Sequence, residues 1–292
     1  MIMRKRLFII GLIMTLSLSA CTTTSAQMKS EVKIQETEVR NNETSTVTET
    51  VSVMEDAEAE NLSLSDYMKT VYKADDNEYY DELCYKALDM YEKNDGKKKY
   101  IYICSGDTKE DCNYFTYYFN MCFGYTNDIQ LTTMKIHDKW YSGFYDVKNE
   151  KENIKEYLRI VKKAQDLSKA LVGASTDETI NNTIKWIENN ATYNYDVDQT
   201  KDVSEVISAY YGIYENKPVI CGGYSIGLYQ LCRMNGINAT VLMMKNNETN
   251  TGHAANYVTF STGKKYVDSL YKKIEDSIPT KYTVFFNSSE DN

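Results

Sequence analysis

Cys221, His253 and Asp268 are the residues in this chain whose types and order could do covalent chemistry together. Cys221 lies in Lys217-Pro218-Val219-Ile220-Cys221-Gly222-Gly223-Tyr224-Ser225. After it, Tyr224, Leu228, Leu231 and Cys232 fall on one face at helical spacing. Asn235-Gly236 then ends the helix, with Gly236 suited to the left-handed position that follows one. Cys221 is therefore expected at a helix N-terminus, where unsatisfied N–H groups and the macrodipole favour the thiolate, the nucleophilic form. Gly222 and Gly223 leave room for a substrate backbone to approach. A histidine within reach can take the thiol proton and return it, and a carboxylate can fix the tautomer of that histidine.

The elements that must bring His253 and Asp268 to Cys221 follow in order. Residues 238 to 244 form an apolar run expected as a buried strand, and a polar loop spans 245 to 252. Residues 252 to 258 and 265 to 268 are the next two strands, joined by a turn at 261 to 264. A two-residue loop at Ser261-Thr262 pairs Phe260 with Gly263 and sets Asp268 opposite Ala255. His253 is then on the same face as Ala255 and diagonal to Asp268, at about 7–8 Å between backbones, within side-chain reach. A turn shifted by one residue would set Asp268 opposite Tyr257 and weaken the contact. For the oxyanion of an attacked carbonyl, the backbone N–H of Cys221 is the natural donor. Tyr210 and Tyr211 could add a hydroxyl, although an aromatic there is more often packing.

Each residue alone has a plainer explanation. A buried cysteine is usually a small hydrophobe, and a strand histidine is usually structural. Together these segments resemble the transglutaminase-like superfamily, over roughly residues 165 to 275. Ser208-Ala209-Tyr210 and Lys217 through Tyr224 are similar to that family's approach to its cysteine. Gly252-His253-Ala254, Asn256 and the pair Tyr266 and Asp268 are similar to its histidine and aspartate segments. The resemblance implies a papain-like α+β core, with the nucleophile at a helix N-terminus packed on a small antiparallel sheet. It also implies roles: Cys221 as nucleophile, His253 as general base and acid, Asp268 orienting His253. The family commonly has Trp two residues after the histidine, where this chain has Ala255, so the cleft width and substrate contacts there should differ. The implied activity is thiol acyl transfer on an amide or peptide bond, ending in hydrolysis or transamidation. A non-catalytic binding or scaffold module on the same fold is the other reading. No cofactor is expected. His137 has no nearby cysteine or second histidine and reads as a solvated or packed residue rather than a metal ligand.

Upstream, residues 63 to 149 are expected to form a smaller α+β region, before a domain from 150 to 292. Residues 64 to 92 read as helical, and 99 to 104, 114 to 125 and 129 to 147 as antiparallel strands with a turn at Asn127-Asp128. Residues 150 to 171 carry a helical apolar stripe through Ile154, Tyr157, Leu158, Val161, Ala164, Leu167 and Leu171. Ser175 and Glu178 make a capping-box pattern for a helix to residue 189, with Ile180, Ile184 and Ile187 inward.

The first 20 residues read as a signal peptide: Arg4-Lys5-Arg6, an apolar run from Leu7 to Leu16, then Leu18-Ser19-Ala20-Cys21. This resembles a bacterial lipobox and implies lipidation of Cys21, hence an extracytoplasmic protein anchored to the cell membrane. Residues 21 to 62, polar and without aromatics, read as a disordered tether with a reach of about 35 Å. Loss of the three basic residues would take the net charge from −9 to −12, which excludes the basic surface that nucleic acid requires. The expected partners are a protein or peptide substrate at the cell envelope and, through Cys21, the membrane. Setting aside Cys21, Cys221 and Cys232, four cysteines remain at 84, 104, 112 and 122. They permit one or two disulfides or four free thiols, and spacing selects none of the three pairings.

Overall fold

The computed structural model describes residues 62–74, 76–197 and 210–289. The signal segment, Cys21, nearly all of the tether and Ser208-Ala209 lie outside these described residues.

The helical stretch expected over 64 to 92 is two helices, α1 (Leu64–Val71) and α2 (Glu78–Glu92). The break has a local cause. The Ser63 hydroxyl caps Asp66 N–H to start α1, and the Asn77 side chain caps Tyr80 N–H to start α2 afresh. Strand β1 (Tyr100–Gly106) follows as expected. The strand expected at 114 to 125 is instead helix α3 (Lys109–Tyr118), continued by a π-helical turn at Phe119–Phe123. A complete capping box, Thr108 with Asp111, opens α3, and its aromatic residues bury at helical spacing: Phe115, Tyr118, Phe119. Aromatic content marks a buried surface more than a strand, and here the cap decides the backbone.

Strands β2 (Thr132–Ile136) and β3 (Lys139–Tyr145) complete an antiparallel sheet in the order β1-β3-β2. The turn in this region lies at His137-Asp138, not at Asn127-Asp128 alone. His137 adopts φ 53° there and is exposed. Beneath the sheet, the Thr116 hydroxyl of α3 meets the hydroxyls of Thr133 and Ser142, at 2.8 and 2.7 Å, so polar groups facing the core are satisfied.

Helices α4 (Glu150–Ala170) and α5 (Thr176–Asn190) form where periodicity placed them. Ser175 caps Glu178 N–H, but the Glu178 carboxylate accepts from Ala174 N–H and leaves the box half made. A short 3₁₀ turn (Gly212–Glu215) leads to α6 (Cys221–Met234). The one-sided stripe expected for α6 is a correction: all of its residues are buried. It is enclosed by α4, α5, the π-helical turn and a second sheet. That sheet comprises β4 (Ala239–Asn246), β5 (Thr251–Phe260), β6 (Gly263–Asp268), β7 (Lys273–Glu275) and β8 (Tyr282–Asn287). Its order is β7-β6-β5-β4-β8, antiparallel throughout.

The largest buried cluster runs from Leu64 to Phe286 and draws on both sides of residue 149. Within it, Arg233 of α6 is fully buried. It pairs with Asp81 of α2 at 2.6 Å, donates to Ala74 O at 2.7 Å and lies 4.3 Å from the Tyr72 ring. The six described cysteines are free thiols, and those of Cys104 and Cys112 are in hydrogen-bonding contact. Among the described residues, no helix is long and apolar enough to cross a membrane.

Candidate active site

The chain reaches α6 through a fixed approach. Val219 N–H donates to Thr192 O at 2.8 Å and Asn194 N–H to Val219 O at 3.0 Å, a parallel bridge that holds the backbone two residues before Cys221. Ile220 is the extended N-cap residue and has no capping side chain, so Cys221 opens the helix. Its side chain is 8% exposed and faces a cavity of about 370 Å³.

His253 comes from β5 and Asp268 from the last position of β6. The register has Phe260 opposite Gly263 and Asn256 opposite Val267, which is the two-residue-loop alternative rather than the shifted turn. One further step sets Asp268 across from Ala255. The diagonal contact then forms: His253 Nε2 lies 2.6 Å from Asp268 Oδ2. Nε2 is committed to the carboxylate, which leaves Nδ1 for the thiol, and the side chains of Cys221 and His253 are within hydrogen-bonding reach.

The carboxylate is held in turn. The Tyr266 hydroxyl donates to Asp268 Oδ2 at 3.2 Å and Tyr271 N–H to Oδ1 at 3.2 Å. Burial pushes the His253 imidazole toward the neutral form, but the Asp268 charge and hydrogen bond, with Cys221, outweigh it and raise its pKa to about 10. The protonated ring thus sits between the Cys221 sulfur and the Asp268 carboxylate. Two tyrosine rings pack against it, Tyr271 at 5.2 Å and Tyr282 at 5.4 Å between centroids.

The three residues singled out for substrate contact are placed differently from the triad. None of Gly222, Gly223 and Ala255 lines the cavity. A Cβ on Gly222 would come within 2.4 Å of the Tyr210 ring, so the open side of this glycine is filled by protein, not left for substrate. Ala255 is 2% exposed and packs with Leu242, Met244 and Tyr266. The cavity wall is instead built by Tyr193, Glu248, Thr249, Lys273, Lys281 and Tyr282 with the triad. Several of these are far from the Cys221 segment in sequence, and no motif along the chain marks them. Among the described residues, no group of three or more His, Cys, Asp or Glu side chains could hold a metal ion.

Residues 162–267 match a family model described as a transglutaminase-like domain. Over that segment the chain has a mixed fold of helices and antiparallel sheet. Among solved structures, the chain is similar to a TGase, with 16% identity and a TM-score of 0.32 over 48% of this chain and 43% of the other. It thus spans under half the length of that protein. It is also similar to a proposed cysteine protease from Cytophaga hutchinsonii, with 14% identity and a TM-score of 0.30 over 55% of this chain and 71% of the other. No curated protein matches the chain.

Proposed function

We propose that this protein is a thiol acyltransferase or hydrolase of amide bonds, with Cys221 as nucleophile, His253 as acid and base, and Asp268 as the orienting carboxylate. The observation that carries the reading is the His253 imidazole, bridging Cys221 and Asp268 at the wall of a cavity. The transglutaminase-like match over residues 162–267 is consistent with it.

The Cys221 sulfur adds to the substrate carbonyl, and the carbonyl oxygen takes the negative charge beside the Cys221 N–H at the head of α6. As the tetrahedral adduct collapses, the C–N bond breaks and the amine leaves with the proton from His253. The product is a thioester on Cys221. Water or a second amine, losing its proton to the now neutral His253, then attacks this thioester. A carboxylic acid or a new amide is released, and the thiolate–imidazolium pair is restored. The N-terminal sequence pattern supports anchoring through Cys21 at the outer face of the cell membrane. The substrate is then an envelope protein or peptide.

The test compares wild type with Cys221→Ala on a mixture of envelope proteins and peptides, read by mass spectrometry. Cleaved or cross-linked products should appear only with the wild type. Equal products, or none together with a Cys221 that iodoacetamide labels no faster than Cys104, would replace this reading with a binding module on the same fold.

A further inference from the structure

The segment after Asp268 lies beyond the residues that match the family. It pairs through β7 with β6 and then through β8 with β4, so it passes from one edge of the five-stranded sheet to the other. On the way it borders the cavity with Tyr271, Lys273, Pro279, Lys281 and Tyr282. Its two tyrosines are held by backbone. Tyr271 N–H donates to Asp268 Oδ1 at 3.2 Å. Tyr282 pairs with Asn246 across β4 and β8, and its N–H donates to Pro279 O at 3.0 Å. The Tyr282 ring lies nearly parallel to the imidazole, at 22°, and Tyr271 at 39°. Ala255, on the same face as His253, belongs to the apolar cluster against which Tyr282 packs.

We propose that Tyr271 and Tyr282 are positioning residues for His253, their rings holding the imidazole in the orientation that meets Cys221 and Asp268 at once. The proposal rests on the acyl-transfer reading of the site. The physical case has two parts. The rings restrict rotation of the imidazole, which is 9% exposed. Their π faces also favour its cationic form, an interaction worth more where water is excluded. The titratable and charged groups around His253 are Cys221 on α6, Asp268 and Tyr266 on β6, Tyr271 and Tyr282, and Tyr193, Glu248, Lys273 and Lys281 along the cavity wall.

The chain has two histidines, so proton NMR of the purified protein follows both ring C–H signals without ambiguity, with His137 on its exposed turn as internal reference. Tyr282→Leu and Tyr271→Leu should each lower the His253 midpoint by ~0.5–1 pH unit. Each should also slow alkylation of Cys221 by iodoacetamide at neutral pH by about threefold or more. Tyr282→Phe and Tyr271→Phe, which keep the rings, should keep both values, and His137 should not move. Leu variants that are folded and match wild type in both readouts would overturn the proposal, as would Phe variants that fall as far as Leu. Should the Leu variants fail to fold, the wild type decides alone. Its His253 ring protons must show upfield ring-current shifts relative to His137, and their absence would overturn the proposal. If wild-type Cys221 proves unreactive, the acyl-transfer reading fails, while the His253 titration still reports on the tyrosines.

Discussion

At the scale of single residues, the site depends on one carboxylate. Burial alone would make His253 a weak base, and Asp268 reverses that. Replacing Asp268 by Asn removes the charge and leaves burial unopposed, so His253 should be neutral at pH 7. The Cys221 sulfur then loses its cationic partner. The iodoacetamide profile of Cys221 should move to higher pH, with at least ~10-fold slower reaction at pH 7. Asp276→Asn is the control, since Asp276 is exposed and pairs with Lys265 away from the triad. An unchanged profile in a folded Asp268→Asn protein would remove Asp268 from the mechanism. The same pair contributes to stability with a definite sign. The folded pKa of His253 lies above its ordinary value, so the stabilisation is complete below about pH 6.5 and is lost as pH rises through about 10. Thermal melts of wild type should fall over that window, and those of Asp268→Asn should be flatter.

At the scale of elements, α6 joins the site to the rest of the core. It presents Cys221 at its first position and Arg233 near its last, and both ends are buried. The Arg233–Asp81 pair carries a full desolvation cost that its hydrogen bonds to Ala74 O and the Tyr229 hydroxyl offset. Removing one partner leaves the other charge buried and unmatched. Arg233→Met should cost ~3–5 kcal/mol in urea unfolding. Arg233→Met combined with Asp81→Leu should cost less than Arg233→Met alone, because no isolated charge remains. A double variant as unstable as the sum of the singles would mean that the pair is not coupled. Much of this architecture is legible in the residues: helices α4 and α5 and the strands β4 to β6 follow from periodicity, and a two-residue loop gives the observed β5–β6 register as one of two alternatives. Helix α3 does not, because a run rich in tyrosine and phenylalanine satisfies strand and buried-helix patterns alike, and the Thr108–Asp111 cap settles it.

At the scale of the whole molecule, the loop between α1 and α2 meets the end of the chain at Asp76. This carboxylate has an enclosed oxygen, Oδ2, with no hydrogen-bond partner. Burial raises its pKa to about 6 against the hydrogen bond from Ser288, which lies beyond β8. For a carboxylate the sign is a penalty: it is absent below about pH 4, grows as pH rises and is complete above about 6. Asp76→Asn should therefore raise the Tm at pH 7, by the equivalent of about 3 kcal/mol, and have little effect at pH 4. A lower Tm at pH 7 would show that the Ser288 contact outweighs the burial. The residues by themselves determined the identity and order of Cys221, His253 and Asp268 and the helix that starts at the cysteine, and they left two registers for the strands that join the other two, of which the structure selects one. Those are local consequences of spacing, caps and a short turn. Only the tertiary structure decided what surrounds them. Tyr271 and Tyr282 reach His253 because β7 and β8 lie on opposite edges of one sheet, and Tyr210 covers Gly222 through a contact between distant segments. Such neighbours are set by packing between elements, for which no periodicity along the chain provides a signal.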